Sequence, residues 1–372
     1  MEKSRSGSGL NLEDQSGTLP AADYTMNLHS PDPVVSVVIL NWNAARWIPR
    51  CLESLREQTL FEKIEVIFAY NMSGDDSEMI ARAGMAGWPN GSFIPTGGNY
   101  GFGGGSNRGA AAARGKYLFF LSPDVWLEKT CVEELVAVGE QSGAAAVAAK
   151  VLNYADDTVQ WWLDDGFDIF GMGVGVPAGR SPTTSSCAGT FPFVRAEVFR
   201  MLGGFDEKFF MYGEEGDLAW GILISGGNIA LAPNARIHHR GEAAVNPQGG
   251  EQITEFRTSG RKRFYANRNH LLNLLKYSEH VLLLLPAAFA SLLIVEGIFW
   301  LVWTRRWSVA QTTSLEPLRD CWRLRGHVRA QRQRVKTFRR RSDWWMLRFF
   351  RWRLGCWREF KKLLKLGPPK IS

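Results

Sequence analysis

Two groups of acids are the side chains most able to do chemistry here: Asp124 in the turn Ser122-Pro123-Asp124, and Glu214, Glu215 and Asp217 in the run YGEEGDLAW. Asp124 follows Lys116–Leu121 (KYLFFL), a short aromatic and apolar run with the profile of a strand covered on both faces. Open α/β sheets place ligands just past the carboxyl ends of such strands, a strong place for a reactive carboxylate. The second group crowds three acids into four residues. Clustered carboxylates raise one another's pKa by mutual repulsion, which suits a general base working near neutrality. Both groups have plainer readings. An acid cluster in an arbitrary chain is usually a solvated face, and Asp124 could simply cap a helix over Val125–Glu140.

The elements that must position these acids read as alternating strands and helices. Val34–Asn41 (VVSVVILN) is a parallel-type strand, and Asn43 opens the turn after it. Arg46–Gln58 carries Trp47, Ile48, Cys51, Leu52 and Leu55 at helical spacing, with Pro49 in the first turn, where its missing N–H costs little. Ile64–Tyr70 is the next strand. Asn71-Met72-Ser73-Gly74-Asp75 is a polar turn before a helix beginning near Asp76. This order predicts a parallel sheet. Gly98, Gly101, Gly103, Gly104 and Gly105 form a glycine-rich loop, where backbone can approach a ligand or take positive φ. Alanine-rich Ser106–Arg114 reads as a helix, and Asn228–His239 as a last strand-like run. The glycine loop never satisfies GxGxxG and precedes its strand, which argues against a dinucleotide fold; GxxxxGK[ST], HExxH and GxSxG do not occur.

A chain of 372 residues, 45% apolar, can hold one large domain and an appendage. Five scattered cysteines, with no CxxC pair, suggest a reducing compartment and no zinc site. The first 33 residues lack the apolar core of a signal peptide and read as disordered. The net charge of +7 hides a division: from residue 301 onward there are twenty Lys and Arg against four acids, and before it 24 against 33. An acidic body with a basic tail reads as a unit tethered to something anionic, not as a nucleic-acid-binding domain. Val281–Trp303 is long enough to span a bilayer, with one charge, Glu296, and one proline, Pro286. A single crossing would carry the basic tail outside, against the positive-inside tendency, so a broken or re-entrant hairpin is expected. The later tail interleaves tryptophan and arginine (Trp344, Trp345, Arg348, Arg351, Trp352, Arg353, Trp357, Arg358), the profile of helices lying at a lipid surface.

From about Val34 to Lys276 the sequence resembles the inverting nucleotide-sugar glycosyltransferases of family 2, in particular their bacterial rhamnosyltransferase-like branch. The resemblance is carried by Gly98-Asn99-Tyr100-Gly101-Phe102, Asn107, Gly109, Ser122-Pro123-Asp124, Gly203-Gly204-Phe205-Asp206-Glu207 and Phe209-Phe210. It implies a GT-A fold over 34–276, a mostly parallel central α/β sheet flanked by helices, followed by a membrane-associated helical tail over 277–372. It implies donor-binding residues Asn41, Asn43, Asn71, Asp75, Gly101, Asn107 and Asp124. Asp124, with His239, would hold Mg2+ or Mn2+, and Glu215 would be the catalytic base with Glu214 and Asp217 beside it. Two positions depart from the family pattern: Tyr70, followed by Asn71, stands at an acid that contacts the nucleotide base, and Ser122 stands first in the metal-binding turn. Arg261, Arg263, Arg268 and Asn269 resemble a family segment that faces the diphosphate or braces the helix. The implied activity moves a sugar from a dTDP- or UDP-linked donor, with dTDP-rhamnose leading, to a lipid-linked or glycan acceptor at the cytoplasmic face of a bacterial inner membrane. Galactofuranosyl, mannosyl or N-acetylhexosaminyl transfer, and a non-catalytic membrane scaffold, are the alternatives.

Overall fold

The computed structural model describes residues 32–161, 164–175, 189–241, 257–351 and 370–371. The expectation of a disordered start falls almost wholly outside these residues, as do Trp352, Arg353, Trp357 and Arg358 of the tail. In chain order the strands are β1 (Val35–Asn41), β2 (Ile64–Tyr70), β3 (Gly91–Pro95), β4 (Tyr117–Leu121), β5 (Val125–Leu127), β6 (Ala146–Asn153), β7 (Val159–Trp161), β8 (Asp164–Phe167), β9 (Gly173–Gly175), β10 (Phe193–Arg195) and β11 (Ile229–His239). The helices that matter below are α1 (Ile48–Arg56), α2 (Ser77–Gly84), α3 (Gly101–Ala111), α4 (Cys131–Ser142), α5 (Ala196–Leu202), α6 (Glu214–Ile224), α7 (Gly260–Tyr277), α8 (Leu284–Thr304), α9 (Trp307–Ala310), α10 (Glu316–Arg323) and α11 (Arg325–Phe338).

Nine strands form one α/β sheet in the order β3-β2-β1-β4-β10-β6-β11-β5, with β7 on β6. The sheet is mixed, with six strands running one way and three the other. β3, β2, β1 and β4 run parallel, as does β11 with β6, while β10, β5 and β7 are antiparallel to their neighbours. β1 and β4 are buried along their whole length, as their unbroken apolar runs require. Strand order runs one way from β1 through β2 to β3 and the other way through β4, so the sheet's topological switch lies between β1 and β4. Ligands of open α/β sheets bind outside the carboxyl ends at that point. Asn41 ends β1 there, and Ser122–Asp124 follows β4.

Asp124 leads into β5, so it is not the cap of a helix over Val125–Glu140; α4 starts only at Cys131. The glycine-rich stretch differs from expectation too, since α3 begins at Gly101 and takes in most of the glycines. The cause is close packing on the sheet. A Cβ at Gly105 would stand 2.3 Å from Leu40 Cδ1, one at Gly109 2.6 Å from Val38 Cγ1, and one at Gly101 (φ +70) 1.8 Å from the Phe210 carbonyl oxygen. α3 therefore runs against β1 at a separation only glycine allows.

The C-terminal helices fold back on the body. One apolar cluster joins Phe199, Leu218 and Trp220 to Cys321, Val335, Phe338 and Met346. α8 is long and apolar enough to cross a membrane by length and composition, yet it is one unbroken helix with Pro286 in its first turn, not the expected broken hairpin. Phe289, Leu293 and Trp300 are buried against the protein, whereas Leu284, Val295, Val302 and Trp303 are exposed. Its one charge, Glu296, faces inward and accepts from Arg263 Nη1 (3.0 Å), Asn267 Nδ2 (3.2 Å) and Trp300 Nε1 (3.0 Å).

Gly109→Ala tests the packing of α3. Val38 is β-branched and cannot turn aside in a buried strand. Overpacking of about 1–3 kcal/mol should outweigh the ~1 kcal/mol that alanine gains in a helix, for a net loss in chemical denaturation. Gly216→Ala, whose Cβ meets nothing within 4 Å, should gain up to ~1 kcal/mol instead. A Gly109→Ala chain as stable as wild type would mean that α3 does not lie this close.

Candidate active site

The turns after β1 and β2 are laced together at the carboxyl edge. Ser73 Oγ accepts from Asn41 Nδ2 (2.8 Å) and the Asn43 backbone N–H (2.9 Å), while Asn43 Oδ1 accepts from Gly74 N–H (2.7 Å). Asn43 holds a left-handed φ of 49°, which asparagine tolerates. Asp75 accepts from Ala45 N–H (2.9 Å) and from Ser77. Asn41 Oδ1 is buried without a hydrogen-bond partner among the described residues. An unmet buried acceptor is costly, and this oxygen is able to accept from a donor group brought by a ligand. Asn71, by contrast, is fully used. Its Nδ2 donates to Asn99 Oδ1 (3.0 Å) and the Gly101 carbonyl (3.4 Å), and its Oδ1 accepts from Tyr100 N–H (3.1 Å) and Thr96 Oγ1 (3.2 Å). Tyr70 stacks on Phe93. Asn107 clasps the backbone of Phe205, donating to its carbonyl (2.9 Å) and accepting from its N–H (2.9 Å).

Asp124 and His239 meet at the end of the β5–β11 pair, with His239 Nε2 3.5 Å from Asp124 Oδ2. The ring's tautomer is fixed by Gln160. That amide donates its Nε2–H to the His239 carbonyl (3.0 Å), so its Oε1 is turned to accept from His239 Nδ1–H (2.7 Å). Nε2 then offers a lone pair toward a carboxylate, an arrangement that calls for a cation or a proton between them. Burial pushes the Asp124 carboxyl up, but His239 and the Ser122 hydroxyl outweigh it and hold the group below the ordinary aspartate value. An ionised oxygen and an imidazole nitrogen fit Mn2+ or Mg2+ completed by phosphate oxygens.

The second acid group opens α6. Glu214 is buried, and its Oε2 has no hydrogen-bond partner among the described residues. Glu215 is half-buried and accepts from Gly213 N–H (3.1 Å). Asp217 is buried against Lys276 Nζ (2.8 Å). Desolvation raises all three carboxyls above their ordinary values; repulsion from Glu215 adds to Glu214, and Lys276 only partly offsets the rise at Asp217. Asp217 is thus the partner of a buried cation, whereas Glu215 keeps one face open.

What holds these acids in place is α7. Asn269 Nδ2 donates to the carbonyls of Phe209 (2.9 Å), Met211 (2.9 Å) and Tyr212 (2.6 Å), and Arg268 Nη2 to those of Lys208 (2.5 Å) and Phe209 (3.0 Å). The loop so captured is contorted, with positive φ at Phe210, Tyr212 and Gly213. On its other side the Phe210 carbonyl accepts from Phe102 N–H (2.6 Å) at the start of α3. α3 starts at the sheet's carboxyl edge, where Gly105 meets Leu40 and Asn71. Glu214 and Glu215 therefore stand on the same edge as Asn41, Asn71 and Asp124. Beneath them Lys276 reaches Asp206 (3.5 Å), which also takes His327 Nε2 from α11 (2.9 Å). Gln160, Lys276 and His327 carry these arrangements without any signal in the sequence that marked them. Their partners are long-range and follow no motif.

Residues 36–203 match the family model described as glycosyl transferase family 2. Among curated proteins, the Bacillus subtilis glycosyltransferase EpsH is 34% identical over 124 residues, covering 33% of this chain and 34% of that one. The N-acetylglucosaminyl-diphospho-decaprenol L-rhamnosyltransferase of Mycobacterium tuberculosis is 24% identical over 239 residues, covering 56% and 76%. Of solved structures, S. aureus TarS 1–349 in complex with UDP overlays with a TM-score of 0.46 at 14% identity, covering 72% of each chain. The chain thus spans about a third of the length of EpsH, and 14% of the Escherichia coli chondroitin synthase that it also matches.

The raised Glu214 carboxyl makes stability depend on pH. An acid whose folded pKa lies above its unfolded value keeps its proton in the folded state after the unfolded chain has lost it, so stability falls as pH rises past the ordinary glutamate value of 4.5. Glu214→Gln removes that loss. Its melting temperature should match wild type near pH 4 and exceed it increasingly from pH 5 upward. Parallel melting curves at every pH would mean that Glu214 ionises freely.

Proposed function

From the match of residues 36–203 to the glycosyl transferase family 2 model, we propose that the chain is an inverting transferase moving a sugar from a nucleotide donor to an acceptor hydroxyl at a membrane surface. What supports the reading is an Asp124 with a lowered carboxyl pKa facing His239 just past β4, together with a Glu215 whose carboxyl pKa is raised at the start of α6. The donor's nucleoside would lie against Asn41, Asn43, Asn71 and Asp75, with Gly101 and Asn107 shaping the wall behind it. Asp124 and His239 would hold Mg2+ or Mn2+, which when bound neutralises charge on the departing diphosphate. Glu215 takes the proton of the acceptor hydroxyl as its oxygen bonds to the anomeric carbon. The bond from that carbon to the phosphate oxygen breaks on the opposite face, and the nucleoside diphosphate leaves with configuration inverted. Desolvation suits Glu215 to this, because a base with a raised pKa holds an abstracted proton more firmly. Glu214 and Asp217 shape its field. The named activity of the mycobacterial relative favours an L-rhamnosyl donor and a lipid-diphosphate-linked acceptor in cell-envelope glycan synthesis.

The proposed membrane contact rests on α8. At 21 residues it is about 31 Å long. Gly297 lies against Ser314, and the chain before and after the helix packs on α7, α10 and α11, so both ends belong to one side. The helix would lie in one leaflet of the cytoplasmic face, its exposed Leu284, Val295, Val302 and Trp303 toward lipid. The basic excess beyond residue 301 would add attraction to anionic headgroups, about 1 kcal/mol per residue near the surface.

Two experiments test this. Glu215→Gln should cut transfer from a nucleotide-sugar by at least 100-fold while nucleotide affinity stays within threefold, and Asp124→Asn should weaken manganese-dependent nucleotide binding itself. Undiminished turnover in Glu215→Gln assigns the base elsewhere. For the membrane, the double variant Val295→Asp/Val302→Asp should lose cosedimentation with anionic vesicles at least tenfold with its circular dichroism unchanged. Wild-type protein that resists extraction by alkaline carbonate would show a spanning helix instead.

A further inference from the structure

His238 and His239 are neighbours on β11 and so point to opposite faces of it. His239 turns to Asp124 and Phe191. His238 turns away, its ring stacked flat on Trp126 at 3.6 Å and buried. Its Nδ1 stands 3.2 Å from the Asn153 carbonyl. A carbonyl can only accept, so Nδ1 carries a proton and Nε2 is the nitrogen left to face other partners. That nitrogen faces two carboxylates, Glu128 Oε1 at 3.4 Å and Asp157 Oδ1 at 3.9 Å. A histidine oriented by a backbone carbonyl on one nitrogen and turned to acids with the other is the usual arrangement of a ligating imidazole.

We propose that Glu128, Asp157 and His238 form a second divalent-cation site, separate from the Asp124–His239 pair. The ligand atoms lie within 4.8 Å of one another. Bonds of about 2.0–2.2 Å to a central ion put ligand atoms roughly 3–4 Å apart, so only small side-chain adjustments are needed. One imidazole nitrogen and two carboxylate oxygens suit zinc, cobalt or manganese, with water completing the shell because Asp157 is exposed. Arg236 Nη1, 3.5 Å from Glu128 Oε1, competes for the same oxygen and sets a moderate affinity. Such an ion would tie three segments together: the end of β11, the residue after β5, and the turn between β6 and β7. It would thereby fix the backbone that carries His239 into the candidate active site. A count of cysteines gives no hint of it, since none takes part.

Cobalt(II) is the probe, because its visible bands report nitrogen and oxygen ligation. Metal-stripped full-length Asp124→Asn chain, without nucleotide, isolates this site from the other. It should bind one equivalent of cobalt, displaceable by zinc. Adding Asp157→Asn or Glu128→Gln should weaken that binding at least tenfold. Asp157 is exposed, so its variant keeps the fold intact. Absence of cobalt bands in the Asp124→Asn chain, or bands that survive both further substitutions unchanged, would overturn the proposal.

Discussion

The structure depends on one carboxamide. Asn269 gathers three backbone carbonyls of the loop 209–212, beside the positive-φ residues Phe210, Tyr212 and Gly213, and so fixes a backbone course that the loop would not hold by itself. The loop ends where α6 begins, so the position of Glu214 and Glu215 is set by a side chain on a helix 45 or more residues further along the chain. Arg268 repeats the grip and is itself tied to Asp320 (3.0 Å) on α10. Acids of raised pKa resist being held close together, and this clamp supplies the backbone geometry that keeps them there.

The opposite wall of the same edge is built by the absence of side chains. α3 meets β1 and the 209–213 loop through Gly101, Gly105 and Gly109, which lets the helix bring Asn107 to Phe205 and Phe102 to Phe210. Glycines that a sequence reader assigns to ligand contact thus serve the contact of backbone with side chain and with backbone. The two roles meet, because the helix so placed borders the crevice at the switch between β1 and β4.

Much of this was legible in the sequence where the signal was local. The runs of β1, β2 and β4 and the stripe of α1 fix their own elements, since apolar periodicity decides burial within a few residues. β5 was misread as part of a helix because three residues carry no period of their own; it exists through pairing with β11, about 110 residues away. The antiparallel strands were equally invisible, as short insertions whose direction depends on partners. Among candidate site residues, the meeting of Asp124 with His239 was inferred through resemblance. The Gln160 that orients the ring and the Lys276 beneath Asp217 belong to no pattern, and only tertiary structure brings them in.

α7 has a last consequence. Within three residues it carries Asn267, bonded to Glu296 of the apolar helix, and Asn269, bonded to the acid loop. A helix rises about 1.5 Å per residue and hardly bends over so short a span. On the proposed lipid contact of α8, the height of the carboxylates above the bilayer would therefore be a fixed dimension of the molecule, independent of linker or loop length. Such a stand-off would act as a gauge in the proposed transfer, admitting acceptor hydroxyls that project a set distance from their anchor and passing over those carried higher or lower.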